Sequence, residues 1–254
     1  MTVHDLMLLI DAVAPFSTQE EWDNSGLLVG SPSQEISAVL FALDVTDAVI
    51  DEALACGAEL IVTHHPLMFS PRHRLTDEDY EGRLLQRLIR MNLSLIAAHT
   101  CLDKAPGGVN DALAAVCRLT NIQGEGYVRV GALPEPLEAG ALSLRLSEAL
   151  GDTVRCMGPK DAVIRTLGLC SGGGSGEWEQ AAALGCDAFL SGEIKHHHAL
   201  AMADAGIVAL ECGHFATELP GILTLAEALQ NALDTVEYKV RIFQSASEAY
   251  GFPR

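Results

Sequence analysis

The sequence predicts an α/β fold with a mostly parallel sheet. Two observations carry that expectation. Short apolar runs alternate with segments of helical period. The second half of the chain also repeats a helix–glycine–strand unit found in the first. At 254 residues the chain has enough length to bury a substantial core.

Taken in order, residues 3–14 have helical spacing, with Leu6, Leu9, Ile10 and Val13 on one face and Pro15 as terminator. Residues 21–30 read as a turn and a short strand. Residues 39–43 form a strand, and 48–55 a helix closed by Gly57. The apolar strand 59–63 runs directly into His64-His65-Pro66. An amphipathic helix over 80–91, a strand over 93–98 and a helix over 108–119 follow. Residues 124–160 read as a short strand–helix–strand connection and the seam between halves. The second half gives a strand at 166–170, a glycine-rich loop at 171–176 and a helix at 177–184. Then come a strand at 187–190, helix 196–205, strand 207–211, helix 216–233 and a last strand at 237–243.

Residues 53–63 align with 181–191, each a helix, a glycine stop and an apolar strand. In that register His64 and His65 fall on Gly192 and Glu193. One βα unit later, His99 to Asp103 lies opposite His214 to Glu218, both of the form His-x-x-x-acid. A duplicated unit is expected, bringing polar strand ends to one cleft. The expected segments are a first repeat at 1–124, a connection at 125–160 and a second repeat at 161–254.

Composition narrows the function. The formal net charge is −18, from 16 basic and 34 acidic residues. That balance opposes nucleic-acid binding through a basic face. The seven cysteines (Cys56, Cys101, Cys117, Cys156, Cys170, Cys186 and Cys212) are odd in number and form no C-x-x-C pair. They read as small core residues, not as a disulfide framework or zinc knuckle. The first residues carry acids where a secretory segment needs basic ones. No apolar run is long enough to span a membrane. The expected location is the cytoplasm.

Ligands in open α/β sheets gather at the carboxyl ends of strands. His64, His65, His99, Asp103 and His214 occupy such positions, with Glu218 one helical turn beyond His214. Imidazole with carboxylate suits zinc, iron or manganese. An extended backbone would send His64 and His65 to opposite sides, which points to two ions, or to one ligand and one bystander. A carboxylate can bridge two ions and an imidazole nitrogen cannot, so Asp103 and Glu218 are the bridging candidates and His64, His65 and His214 terminal ones. Two ions about 3.5–4 Å apart would share and acidify a water. His99 is the weakest ligand candidate, with a supporting role beside Asp103 as the other reading. Glu193, at a strand end, is the candidate general acid/base, with Glu218 as a second catalytic carboxylate. Of His196, His197 and His198, consecutive on a helix, at most two can face one cleft. The loop around Gly172–Gly174 lacks the Lys-Ser/Thr of a phosphate-binding loop and reads as a tight connection.

Five motifs then resemble the NIF-three-like family of dinuclear metal proteins, whose bacterial members are named GTP cyclohydrolase I type 2 homologues. They are Trp22 to Leu27, Thr63 to Leu67, His99 to Asp103, Ser191 to Glu193 with His197, and Gly213 to Glu218. The resemblance spans the whole chain. It implies two intertwined, duplicated α/β repeats with mixed sheets and a two-metal site in the cleft between them. It implies His64, His65, Asp103, His214 and Glu218 as ligands of two divalent ions per chain, and a toroidal homohexamer. Longer relatives carry an inserted domain for which residues 124–160 have no room. The expected activity is metal-dependent hydrolysis of a nucleotide-like or pterin-like small molecule through a metal-bridging hydroxide. The expected partners are copies of itself and that substrate, not nucleic acid or a membrane. The alternative is a hexameric metal-binding or interaction protein without catalysis.

Overall fold

A computed structural model describes residues 1–235 and 239–247. The chain forms two compact units. Unit 1 comprises Met1–Ala105 with Ile222–Arg254, and unit 2 comprises Pro106–Gly221. These units are defined by contacts. The expected segments 1–124, 125–160 and 161–254 are defined by internal repetition, and the two divisions cut at different points.

In chain order, unit 1 opens with helix α1 (Val3–Val13), strand β1 (Gly26–Val29) and strand β2 (Ala38–Ala42). Helix α2 (Asp47–Cys56), strand β3 (Leu60–Thr63), helix α3 (Tyr80–Arg90), strand β4 (Ser94–Ala97) and helix α4 (Thr100–Lys104) follow. Unit 2 begins with α5 (Val109–Val116), β5 (Thr120–Gln123), β6 (Arg129–Glu138), α6 (Ala139–Leu150) and β7 (Arg155–Met157). It continues with β8 (Val163–Cys170), α7 (Trp178–Ala183), β9 (Ala188–Ser191), α8 (His196–Asp204) and β10 (Val208–Glu211). Helix α9 (His214–Thr235) contains the unit boundary and Pro220, and β11 (Arg241–Gln244) returns to unit 1.

Local signals explain the boundaries. Thr2 and Asp5 form a reciprocal capping box at the start of α1. Thr46 caps α2, and Gly57 ends it at φ 70°, a left-handed conformation natural to glycine. Asp79 accepts from the Gly82 N–H and starts α3. Most expected helices and strands agree with these to within a residue or two; the helix expected over 108–119 ends three residues early at Val116, the strand expected from 166 begins three residues earlier at Val163, and the last strand begins only at Arg241. Residues 237 and 238 of the expected last strand lie outside the described residues. The connection 124–160 is indeed strand–helix–strand. Helix α4 and strand β5 were not foreseen: α4 is five residues long, too short to display a period, and every residue of β5 is exposed, so it has no apolar pattern.

Each sheet is mixed. The first has the order β1-β4-β3-β2-β11, and the second β5-β6-β8-β9-β10-β7. In the first, only the β1–β4 pair is antiparallel among the described residues. In the second, β8–β9–β10 is parallel, while β5–β6, β6–β8 and β10–β7 are antiparallel. The expectation of a mostly parallel sheet therefore holds for the first sheet and not for the second. Alternation along a sequence reveals crossover helices but not the direction of edge pairing.

The duplication is visible inside each sheet. Strands β2-β3-β4 are parallel with antiparallel β1 at the edge; β8-β9-β10 are parallel with antiparallel β7 at the edge. The aligned residues Glu59 and Asp187 perform the same task. The Glu59 carboxylate accepts from the N–H groups of Ser37 and Ala38, and that of Asp187 from Arg165 and Thr166. Their backbones also match: Glu59 bridges Ala38 and Ser94, and Asp187 bridges Thr166 and Val208.

Central strands β2, β3, β4 and β9 are buried at every position, so both faces of these strands are covered. On β9, Ala188 and Leu190 pack into one core cluster and Phe189 into another. Among the described residues no helix is long and apolar enough to cross a membrane.

Candidate metal centre

Strand β3 ends at Thr63, and His64 and His65 follow in a bend. The Thr63 hydroxyl donates to the His65 carbonyl at 2.8 Å and helps form that bend. The two side chains therefore do not alternate as on an extended strand. Their ring centroids lie 5.0 Å apart, and that of His99 lies 5.1 Å from His64 and 5.6 Å from His65. One ring nitrogen from each of the three falls within 4.8 Å of the others. This trio is close enough to hold a metal ion, so His99 sits beside the two adjacent histidines.

Each of these imidazoles is held at Nδ1. His64 Nδ1 lies 2.9 Å from the Ala98 carbonyl, which can only accept, so the proton resides on Nδ1 and the Nε2 lone pair faces the cluster. His65 Nδ1 lies 2.8 Å from Asp44, and His99 Nδ1 2.8 Å from Asp23. Metal-ligating histidines characteristically direct their second nitrogen at a carbonyl or carboxylate, which fixes both tautomer and ring orientation. Asp103, on α4, places Oδ1 3.5 Å from His64 Nε2, and the His64 side chain is wholly buried. An imidazole nitrogen and a carboxylate oxygen that converge in this way are of the type that can ligate one cation.

Asp23 has a buried carboxylate. Burial alone would raise its pKa. Hydrogen bonds from His99, Thr100 and the Asn24 N–H outweigh that and hold it well below the usual carboxylate range. Neither Asp23 nor Asp44 was foreseen as a supporting residue. Asp23 carried a signal, since it lies in the Trp-Asp-Asn-Ser-Gly motif. Asp44 had only its place just beyond a strand end.

Unit 2 contributes a second set. His214 opens α9, and its Nε2 lies 3.1 Å from Glu218 Oε1 one turn later. Its Nδ1 lies 2.9 Å from Glu193 Oε1. Glu193, the expected acid/base, thus holds the ring of an expected ligand. Glu218 is buried, whereas the His214 side chain is 37% and that of Glu193 65% exposed. Gly172 makes room for the Glu218 carboxylate: a Cβ there would stand 1.9 Å from Oε1, and φ is +54°.

The Ser171 N–H donates to Asn110 Oδ1, that of Gly172 to Thr217 Oγ1 and that of Gly174 to the Ser171 carbonyl. These three amides are engaged by nearby groups, in keeping with a tight connection. His198 Nδ1 meets the Ser175 hydroxyl at 3.0 Å, and His196 and His197 are exposed. Burial pushes the Cys101 thiol up to about 11, so beside His99 it acts as filler and not as a nucleophile.

Residues 1–249 match the Duf34/NIF3 (NGG1p interacting factor 3) family. The chain belongs to this family. Among Duf34/NIF3 relatives, a Streptomyces coelicolor protein named GTP cyclohydrolase 1 type 2 homolog is 34% identical over 256 residues, covering 95% of this chain and 90% of its own. A Helicobacter pylori protein named GTP cyclohydrolase 1 type 2 is 31% identical over 242 residues, covering 92% and 95% respectively. A crystallised Staphylococcus aureus protein superposes with a TM-score of 0.95 at 28% identity, covering 100% of this chain and 99% of its own. A Bacillus cereus protein described as related to NIF3 has the same TM-score at 21% identity and supports the fold alone.

Proposed function

We propose that this Duf34/NIF3 protein is a dinuclear metal-dependent hydrolase. His64, His65, Asp103, His214 and Glu218 would hold two divalent ions per chain, of zinc, iron or manganese. One observation carries this reading: His64, His65 and His214 are each fixed at Nδ1 by an oxygen acceptor and present Nε2. The donor set fits such ions in type, combining neutral imidazoles with carboxylates. Ions held there would supply an acidified water and polarise an acceptor atom of the substrate.

The chain's own residues divide the remaining work. Asp103 and Glu218 each offer two oxygens and so can bridge. His64, His65 and His214 supply one nitrogen each at terminal positions. Asp44 and the Ala98 carbonyl keep the first two rings in the ligating tautomer. Glu193 holds His214 through Oε1, and its exposed carboxylate accepts and returns a proton. The substrate class is a nucleotide-like or pterin-like small molecule, after the names of the relatives. Assembly as a toroidal homohexamer and a cytoplasmic location belong to the same proposal.

Elemental analysis of the purified full chain, with anomalous scattering from crystals, tests the centre. About two ions per chain are expected, with marked loss in His64→Ala and Glu218→Ala. Metal-loaded protein assayed on GTP and a panel of nucleotides and cyclic amides tests the reaction. Absence of turnover, with Glu218→Ala indistinguishable from wild type, leaves a metal-binding protein without catalysis. Size-exclusion chromatography with light scattering tests the hexamer.

A further inference from the structure

The Trp22-to-Gly26 segment has a second feature besides Asp23. Trp22 is 61% exposed, yet its ring lies edge-on to His99 with centroids 6.0 Å apart. Phe69, 48% exposed, meets the same imidazole edge-on at 5.5 Å. Two large aromatic rings thus stand half in water beside the cluster of His64, His65 and His99.

Their position is built into the fold. The His99 N–H donates to Ser25 Oγ at 3.0 Å, the Thr100 N–H to Asp23 Oδ2 at 3.0 Å, and the Glu20 N–H to Thr100 Oγ1 at 3.0 Å. Lys104 pairs with Glu20 at 2.8 Å. The residues flanking Trp22 are thereby pinned to the end of β4 and to α4. Asn24 Nδ2 donates to the Met68 carbonyl at 2.6 Å, tying this segment to the one that carries Phe69. A tryptophan held in water by a frame of hydrogen bonds, beside a polar centre, has its faces available to a partner. Aromatic faces favour other flat π systems, which stack with little regard to sequence or substituent.

We infer that Trp22 and Phe69 form a ring-binding lip on the His99 side of the imidazole cluster, which takes a small molecule bearing a planar, π-conjugated heterocycle. The inference rests on the proposed centre being where substrate reacts, and it assigns the groups that hold the substrate's flat part.

The test uses the full chain with Trp178→Phe, because the second tryptophan, Trp178, is buried and its removal leaves Trp22 as the sole tryptophan, read by selective tryptophan excitation. Guanosine should quench this emission saturably, and ribose 5-phosphate, which lacks the base, should not. Phe69→Ala should weaken guanosine binding about tenfold, as should Trp22→Leu when read by equilibrium dialysis, with metal content unchanged. Equal quenching by ribose 5-phosphate, or no saturable effect of guanosine, overturns the lip. So does a fall in assembly size in both variants, which would place the two rings in a contact between copies of the chain. Metal content of the same samples separates the two readings. Protein without metal that still binds guanosine through Trp22 defeats the metal proposal alone; protein with two ions and no guanosine response defeats the lip alone.

Discussion

Strands β3 and β9 hold equivalent places in their own sheets, but their carboxyl ends carry different chemistry. Beyond β3 come His64 and His65; beyond β9 come Gly192 and Glu193. The next strands end in His99 and His214, each beginning a helix that carries an acid four residues on. In unit 1 the rings are steadied by buried or partly buried acceptors: the Ala98 carbonyl, Asp44 and Asp23. In unit 2 the one ligand-like ring is steadied by a largely exposed carboxylate, Glu193. A duplicated frame fixes where a strand end projects; the residues placed there decide how firmly it can hold a ligand. The unit 1 rings are held by buried or partly buried acceptors, whereas the His214–Glu193 contact is exposed, and exposed charged contacts are weak.

The largest effect should follow His64→Ala, which removes a wholly buried ring from the unit 1 set. Metal content should fall to background by elemental analysis, a greater loss than at any supporting residue. Retention of both ions would break the comparison at its strongest point. Gly172→Ala comes next. The new methyl would strain a backbone at φ +54° and displace the Glu218 carboxylate. Both metal content and Tm should drop, and an unchanged value of either would show that unit 2 yields more than its packing implies.

Asp44→Asn sharpens the contrast. Loss of the charged acceptor behind His65 should weaken metal affinity about 10–100-fold with the fold intact, measured by competition with a chelator. Glu193→Gln, behind the exposed His214, should change affinity by no more than about fivefold, while slowing turnover if Glu193 carries protons. Equal affinity losses at the two sites would abolish the distinction between a buried and an exposed support.

The smallest effect concerns the frame. Burial raises the Glu59 carboxyl, but hydrogen bonds from Ser37 and Ala38 outweigh it and hold the group below its ordinary 4.5. With the folded pKa below the unfolded one, the stabilisation is present above pH 4.5 and lost as pH falls through the folded value. Glu59→Gln should lower Tm by about 2–4 °C at neutral pH. That difference from wild type should vanish in acid.

The parts legible in the sequence were those governed by local rules. Glycine stops and all-apolar strands located the repeat, and the repeat pointed to the polar strand ends at His64, His99 and His214. The rest depended on contacts between distant residues. Asp23 and His99 are 76 positions apart, and Asp44 and His65 are 21 apart; nothing in either neighbourhood announces the pairing. The antiparallel edges β1 and β7 are equally non-local. The bend at His64 escaped because the strand pattern before it gives no sign of where extension stops.

Asp23 accepts hydrogen bonds from His99, Thr100 and Ser25, while the side chain beside it, Trp22, projects into solvent. Neighbouring positions thus have opposite tolerances. Changing Asp23 would disturb an imidazole, a helix start and a turn at once; changing Trp22 would alter only the surface offered to a visitor. A set of proteins differing at position 22 alone would be interchangeable mouths on one unaltered centre, a starting point for redirecting this scaffold toward rings of other shapes.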